Sequence, residues 1–387
     1  MFSNHKLSKI SFLVFIFLLP FQTRLILFPM KPEFLGFSIY LSEIFLWSAL
    51  ALWLINDYRK IKLPFCFFVF LFFCLFTILW SPNKIAAFRL WLYFLEGMLI
   101  FGYLKSNKDI WAYAAKALLF SLFIVSCFAI WQFFNLGSPA FKWLGLSARG
   151  AWNLGDIVIG SEGTRWLRAY GTFPHPNILG GYLAIGILLL ISFVKKGASK
   201  IFIYPLGAIF IFSLFLTFSR SAWLGLVAVL IYYSFKNFDN KDIRKFFIFS
   251  ILSIASLSFI FWPFVTSRVK SEGYLESKSN IERVASWREG LELWTQNPLF
   301  GIGIGNYTIG LPKPYGQPSH NIFLMVLAEL GAVGFLLYLA LWRKLWKSGL
   351  HSVLILFFII GLFDHYLWTL YSGQMIFWVG LAFFQEN

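Results

Sequence analysis

The chain has 387 residues, of which 59% are hydrophobic, 21% aromatic and only 13% charged; this excludes an ordinary soluble globular domain and belongs to a polytopic membrane protein. The formal net charge of +16 would raise nucleic-acid binding in a soluble chain, but here the positions of the basic residues exclude that role, as set out below. Cys66, Cys74 and Cys127 all fall in apolar runs, where a thiol behaves as a small hydrophobe, so neither a disulfide nor a metal site is expected from them.

Successive apolar runs are long enough to cross a hydrocarbon core of roughly 30 Å, and they predict an all-α integral membrane protein of about twelve transmembrane helices. The predicted spans are 10–27, 36–55, 63–80, 85–104, 110–135, 178–194, 201–218, 221–235, 246–264, 321–342, 350–363 and 366–384. The first lacks a small-x-small cleavage site and carries bulky Phe residues, so it reads as a retained helix. The spans form a single polytopic domain, with no internal repeat and no soluble part large enough for a nucleotide fold.

Lys and Arg gather in alternate loops: Lys6 and Lys9; Arg59, Lys60 and Lys62; Lys105 and Lys108; Lys195, Lys196 and Lys200; Lys236, Lys241, Arg244 and Lys245; Arg343, Lys344 and Lys347. The positive-inside rule places those loops in the cytoplasm, and an even number of spans returns both termini there. The opposite, outer side then receives two long segments, 136–177 and a larger one at 265–320, between the ninth and tenth helices. Their Trp, Tyr, Leu and Gly content predicts that they fold onto the outer face of the membrane. Within the second, 281–294 sets Ile281, Val284, Ala285, Leu291 and Trp294 against Glu282, Arg283, Arg288 and Glu289, an amphipathic helix stopped by Asn297-Pro298.

The outer side carries the residues suited to chemistry. Arg168 precedes a Pro174-His175-Pro176-Asn177 turn, Arg220 sits in Phe218-Ser219-Arg220-Ser221, and Arg283 and Arg288 lie on the amphipathic helix. An arginine at a membrane border can simply snorkel to headgroups. Several beside a histidine suit a phosphate or pyrophosphate, because each planar fork pairs two oxygens and keeps its charge. His320 follows Pro318-Ser319 at the start of a predicted helix, where the dipole disfavours imidazolium and a neutral ring can take a proton from an attacking hydroxyl. His175 is a second candidate, although the Pro-His-Pro turn also reads as a helix entry. Glu329 lies roughly 13 Å into the same helix, deep enough to need a partner, whether an arginine or a backbone amide. Gly331 and Gly334 give that helix a small face for close packing. Gly301-Ile302-Gly303-Ile304-Gly305-Asn306-Tyr307 has dinucleotide-loop spacing but follows no strand, so it reads as a flexible turn near a ligand. The outer acidic residues are few and unclustered, so no bound metal and no cofactor are expected.

His320-Asn321, nine residues, then Gly331 and Gly334 resembles the His-[Asn/Ser/Gln]-x9-Gly-x-x-Gly signature of the O-antigen ligase and polymerase superfamily of membrane glycosyltransferases. Residues 217–226 resemble that family's Ser-Arg-Gly-Ala-Trp helix start, with Ser221 where Gly is common; 283–307 and 168–182 resemble its segments before the histidine and at the Pro-Asn entry. The resemblance spans about residues 165–342, and the first five spans match only in hydropathy. It implies a GT-C-like fold, acting as a monomer in the bacterial cytoplasmic (inner) membrane with its site facing the periplasm. It also implies an undecaprenyl-pyrophosphate-linked glycan as donor, a lipid- or saccharide-linked acceptor, and inverting, metal-independent transfer. On that reading His320, Arg220 and Arg288 are catalytic, and Arg168, Arg283, Asn321, His175, Asn177 and Tyr307 contact substrate. Ligase, polymerase and protein O-oligosaccharyltransferase remain open within the family, and a lipid-linked glycan transporter or flippase is the alternative outside it.

Overall fold

The computed structural model describes residues 4–29, 36–57, 63–161, 164–237, 239–270, 274–311 and 316–384, the side chains of 161, 269 and 274–279 excepted. The basic residues Arg59, Lys60 and Lys62 lie outside the described residues. The chain divides into two compact units. One comprises Met1–Phe15, Arg24–Trp111 and Asn280–Asn387; the other comprises Ile16–Thr23 and Ala112–Ser279.

Helix α1 (Asn4–Leu18) is shorter than the predicted first span. It stops before Pro20, which disfavours the helical region for the residue preceding it. The remainder of that span continues as strand β1 (Arg24–Phe28), antiparallel to β2 (Phe37–Tyr40), with Arg24 opposite Tyr40. Helices α2 (Leu41–Asp57), α3 (Phe65–Thr77) and α4 (Lys84–Ser106) follow in the first unit.

The second unit holds α5 (Trp111–Phe134), of which it takes all but the first residue, then strands β3 (Gly137–Ser138), β4 (Arg149–Gly150), β5 (Val158–Ser161) and β6 (Thr164–Leu167). The β3–β4 and β5–β6 pairs are antiparallel, and a small core of Ala151, Val158, Leu167 and Tyr170 holds this predicted outer segment together. Helices α6 (Pro176–Lys195), α7 (Lys200–Leu216), α8 (Arg220–Lys236), α9 (Lys241–Ile260) and α10 (Trp262–Lys270) complete it. Helix α6 is apolar on all sides because it is buried on all sides by α7, α8 and α9.

Helix α11 (Tyr274–Gln296) passes into the first unit at Asn280, where α12 (Ile322–Lys347), α13 (His351–Phe363), α14 (Tyr366–Thr369) and α15 (Tyr371–Phe383) end the chain. There α4 packs on α15 and α3 on α12. The α4–α15 contact is close because Gly97 has no side chain: a Cβ there would lie 1.8 Å from the Trp378 ring. Among the described residues five helices, including α4, α6, α9 and α12, are long and apolar enough to cross a membrane. The protein is mostly helical and multi-pass, as its composition demands.

Helix α11 buries a different face from the one its hydropathy indicates. Ser286, Gly290 and Leu293 face inward, while Ile281, Val284 and Leu291 are exposed. The reason is steric: the helix packs on Tyr307, whose hydroxyl sits 3.0 Å from where a Cβ of Gly290 would stand. Ser286 and Gly290 leave room for the Tyr307 ring, Leu293 is buried further along the same face, and Ile281, Val284 and Leu291 stay exposed.

Candidate functional site

In the first unit the site is built around a break in α12. Asn321 is the N-cap, its Oδ1 accepting from the Leu324 N–H at 3.1 Å while its Nδ2 donates to the Leu362 carbonyl at 3.4 Å. His320 stands just outside that cap. Gly331 leaves helical geometry at φ 65°, ψ −171°, a region essentially restricted to glycine. The glycine segment after α11 docks against this break through four backbone hydrogen bonds: Ile302 N–H to Ala328 O, Gly303 N–H to Glu329 O, Ala332 N–H to Pro298 O and Val333 N–H to Leu299 O. The fit needs bare backbone on both sides. A Cβ at Gly331 would lie 2.3 Å from the Leu299 carbonyl group, and one at Gly301 would lie 2.3 Å from that of Glu329.

Two sequence readings are corrected by this arrangement. The segment 301–307 is a docked and largely buried loop rather than a flexible turn, because its amides are spent on α12. Of the two signature glycines only Gly334 serves helix packing, facing Phe73 of α3, whereas Gly331 opens α12 to the loop. Glu329, in the last turn before the break, takes the amide option. One oxygen accepts from the Tyr307 N–H at 3.1 Å and the other from the Trp368 indole N–H at 2.8 Å. Tyr307 is buried and its hydroxyl donates to the Ser286 carbonyl at 2.8 Å, which fastens α11 to the loop. Burial pushes this phenol up from its ordinary range, so it remains a donor.

The sequence reading passed over Asp364 and His365, which lie between α13 and α14. His320 Nδ1 is 3.9 Å from Asp364 Oδ1, with His320 partly open to solvent and Asp364 nearly closed off. The His365 ring lies 5.4 Å from that of His320, and its Nδ1 is 2.8 Å from Thr369 Oγ1. Burial first, then proximity to His320, lowers the His365 imidazole to about 4, against the opposing pull of Asp364. One signal was available in the sequence: two polar residues in the short gap between two apolar runs. On α11 of the same unit, Arg288 is exposed and Arg283 half-buried.

The second unit gathers arginines at the α7–α8 break. The last carbonyls of a helix have no partner within it and attract cations. Here Arg168 Nε donates to Thr217 O at 2.6 Å, its Nη2 to Asn177 Oδ1 at 2.7 Å, and the Ala169 N–H to Leu216 O at 3.1 Å. Arg268, absent from the sequence candidates, donates to Phe218 O at 3.0 Å. Phe218 has φ 46°, strained for a bulky residue, so both arginines hold a turn that does not rest on local preference. Arg220 opens α8, half-buried, with Nη1 3.5 Å from Arg268 O. Ser219 is its N-cap but makes no side-chain cap bond. His175 caps α6, accepting the Asn177 N–H at 3.1 Å through Nδ1, so the helix-entry reading describes its contact. Among the described residues, no group of three or more His, Cys, Asp or Glu converges.

Residues 205–339 match the model of the family described as O-antigen ligase. A curated relative, the general O-oligosaccharyltransferase of Acinetobacter baylyi, is 23% identical over 210 residues, covering 51% of this chain and 36% of the relative. The chain thus matches only about a third of that protein's length. The matched stretch contains the α7–α8 break, the docked glycine loop and the His320–Gly334 signature, so the similarity to the O-antigen ligase family lies in the region that carries these features.

Proposed function

We propose that the protein is a membrane glycosyltransferase that moves a glycan from a polyprenyl-pyrophosphate donor to an acceptor hydroxyl, with inversion and without a metal. The acceptor hydroxyl attacks the anomeric carbon and its proton passes to His320. The glycosyl–oxygen bond to the donor breaks, and the lipid pyrophosphate departs with the electron pair. The observation that carries this reading is the pairing of His320 with Asp364 at 3.9 Å beside a largely neutral His365. A carboxylate on the Nδ1 side favours the tautomer that leaves Nε2 free to accept a proton, and it stabilises the imidazolium that forms. The contact is longer than a hydrogen bond, as is common before substrate arrives.

Arg220, Arg288, Arg283 and Arg168 are assigned to charge developing on the leaving pyrophosphate. Arg220 suits an anion best, because it sits at a helix start whose N-cap side chain makes no bond to the helix amides. Arg168 meets that charge while its Nε and Nη2 hold Thr217 and Asn177; Asn177 and His175 keep the shape of the second unit's turn, and Asn321 and Tyr307 that of the first unit's site. About twelve spans with an outward-facing site is the topology this reading takes. The family match supports a ligase, the relative's O-oligosaccharyltransferase activity supports the protein O-oligosaccharyltransferase variant, and polymerase is the third variant to separate.

Purified protein in detergent, given a defined lipid-pyrophosphate glycan and an acceptor, is expected to form a covalent product. His320→Ala should abolish it and Arg288→Lys should weaken it. Wild-type transfer by correctly inserted His320→Ala protein would end this assignment. Lipid movement in vesicles without covalent transfer would support the transporter instead.

A further inference from the structure

Within the first unit a small pocket, open on one side, lies among α4, the docked glycine loop and α12. Arg89 and Tyr93 come from α4, Tyr307 and Thr308 from the loop, Pro318 from the approach to α12, and Glu329 from α12 itself. Thr369 closes one side. Asn306 Oδ1 accepts the Asn83 N–H at 2.7 Å, which ties the start of α4 to the loop and fixes the pocket's width.

Its polar groups define what it can hold. The Arg89 Nη atoms donate to both Glu43 oxygens at 2.7 Å and to the Ser38 carbonyl, so the guanidinium charge is already compensated. Its buried Nε–H has no acceptor among the described residues. The other charged group facing the space is Glu329, whose oxygens accept from the Tyr307 and Gly305 backbone and the Trp368 indole and which keeps lone-pair capacity for one more donor. A pyrophosphate would find no uncompensated cation here and one carboxylate against it. A polyhydroxylated ring finds the Arg89 donor, the Glu329 acceptor, the Thr308 hydroxyl, and aromatic walls at Tyr93 and Tyr307, the mixture typical of small-molecule sites.

The pocket also adjoins the proposed base. Pro318 lines it two residues before His320, and Thr369 Oγ1 is 2.8 Å from the His365 ring that lies beside His320. We infer that this pocket is the acceptor's sugar subsite, holding an uncharged pyranose ring so that one of its hydroxyls reaches His320. The inference rests on the reading of the chain as a glycosyltransferase with His320 as base.

The test uses the full chain in nanodiscs and a panel of methyl glycosides (glucoside, galactoside, N-acetylglucosaminide) followed by saturation-transfer NMR. At least one should receive saturation from wild type and equally from His320→Ala. Ala86→Met, which crowds a pocket-lining position, and the near-isosteric Thr308→Val should each reduce the signal. In transfer assays they should raise the acceptor KM about tenfold while kcat and the donor KM stay within about twofold. No saturation of any glycoside by wild type would overturn the inference. So would signals unchanged in both variants, or a KM shift confined to the donor. Glycoside binding that behaves as expected while His320→Ala retains full transfer would leave the subsite standing and remove His320 as base. Thr308→Val carries the test should Ala86→Met fail to insert.

Discussion

Replacing Gly331 with alanine perturbs the backbone without touching a charged or catalytic group. Its φ of 65° with ψ of −171° costs a non-glycine residue about 1–3 kcal/mol. The added Cβ would also stand 2.3 Å from the Leu299 carbonyl group, and both sides of that collision are backbone, so neither can turn aside as a side chain would. The loop must move off α12, which gives up some of its four backbone hydrogen bonds at about 0.5–1.5 kcal/mol each. A local loss of about 3 kcal/mol corresponds to roughly a hundredfold fall in amide protection. Hydrogen exchange should show that fall at Ile302, Gly303, Ala332 and Val333. Gly197→Ala is the control: its φ is 74°, but nothing lies within 4 Å of the added Cβ, so it carries the strain without the collision and should stay local to its own turn. Unchanged protection in the docked loop of Gly331→Ala would refute the docking argument.

Three further outcomes follow from the same contacts. Asp364→Asn, which keeps the shape beside His320 and removes the charge, should lower kcat about 10- to 100-fold with both KM values within about threefold; unchanged kcat would separate Asp364 from the base. His365 is held near 4 in the folded protein against 6.5 ordinarily, so between those values the unfolded chain binds the proton that the folded one refuses, and stability should fall as pH drops from about 6.5 to 4. Thermal melts across that window should be flatter in His365→Asn, and an identical slope would show that another group sets it. Arg268→Lys loses the fork that holds Phe218 O and should destabilise the second unit by about 1–3 kcal/mol, seen as faster exchange at Ser219 and Arg220; unchanged exchange there would mean that the turn holds itself.

The helices were legible because the membrane imposes one requirement on each run, length with apolarity, and every predicted span contains a helix. Their ends were less legible where a local rule intervenes, as Pro20 does after α1. The His320-Asn321 and Gly331-Gly334 spacing could be read directly, because an N-cap and a glycine-only conformation each demand particular residue types. Arg268 could not, since it differs in sequence from a snorkelling arginine in nothing but its distant carbonyl partner. Asp364 and His365 were overlooked for a related reason: their significance comes from His320, which lies more than forty positions earlier in the chain. The buried face of α11 was misread because hydropathy ranks residues by size and polarity, whereas packing on Tyr307 selected for small ones.

The signature's fixed interval between histidine and glycine follows from a chain of contacts through the first unit. Gly331 sets where the loop docks, and Glu329, in the turn before it, joins the loop's Tyr307 amide to the Trp368 indole. Trp368 and Thr369 belong to α14, whose first turn hydrogen-bonds back to the His365 carbonyl, and the His365 ring packs beside His320. Adding one residue between Asn321 and Glu329 would turn Glu329, the break and its docked loop together by about 100° relative to the cap, so that the contacts running from Glu329 through Trp368 to His365 no longer meet His320, while leaving the cap and the glycine individually intact. Such a one-residue change should therefore disable transfer as fully as loss of the histidine. A single alanine inserted after Val326 tests this, and retained activity would mean that cap and break act independently.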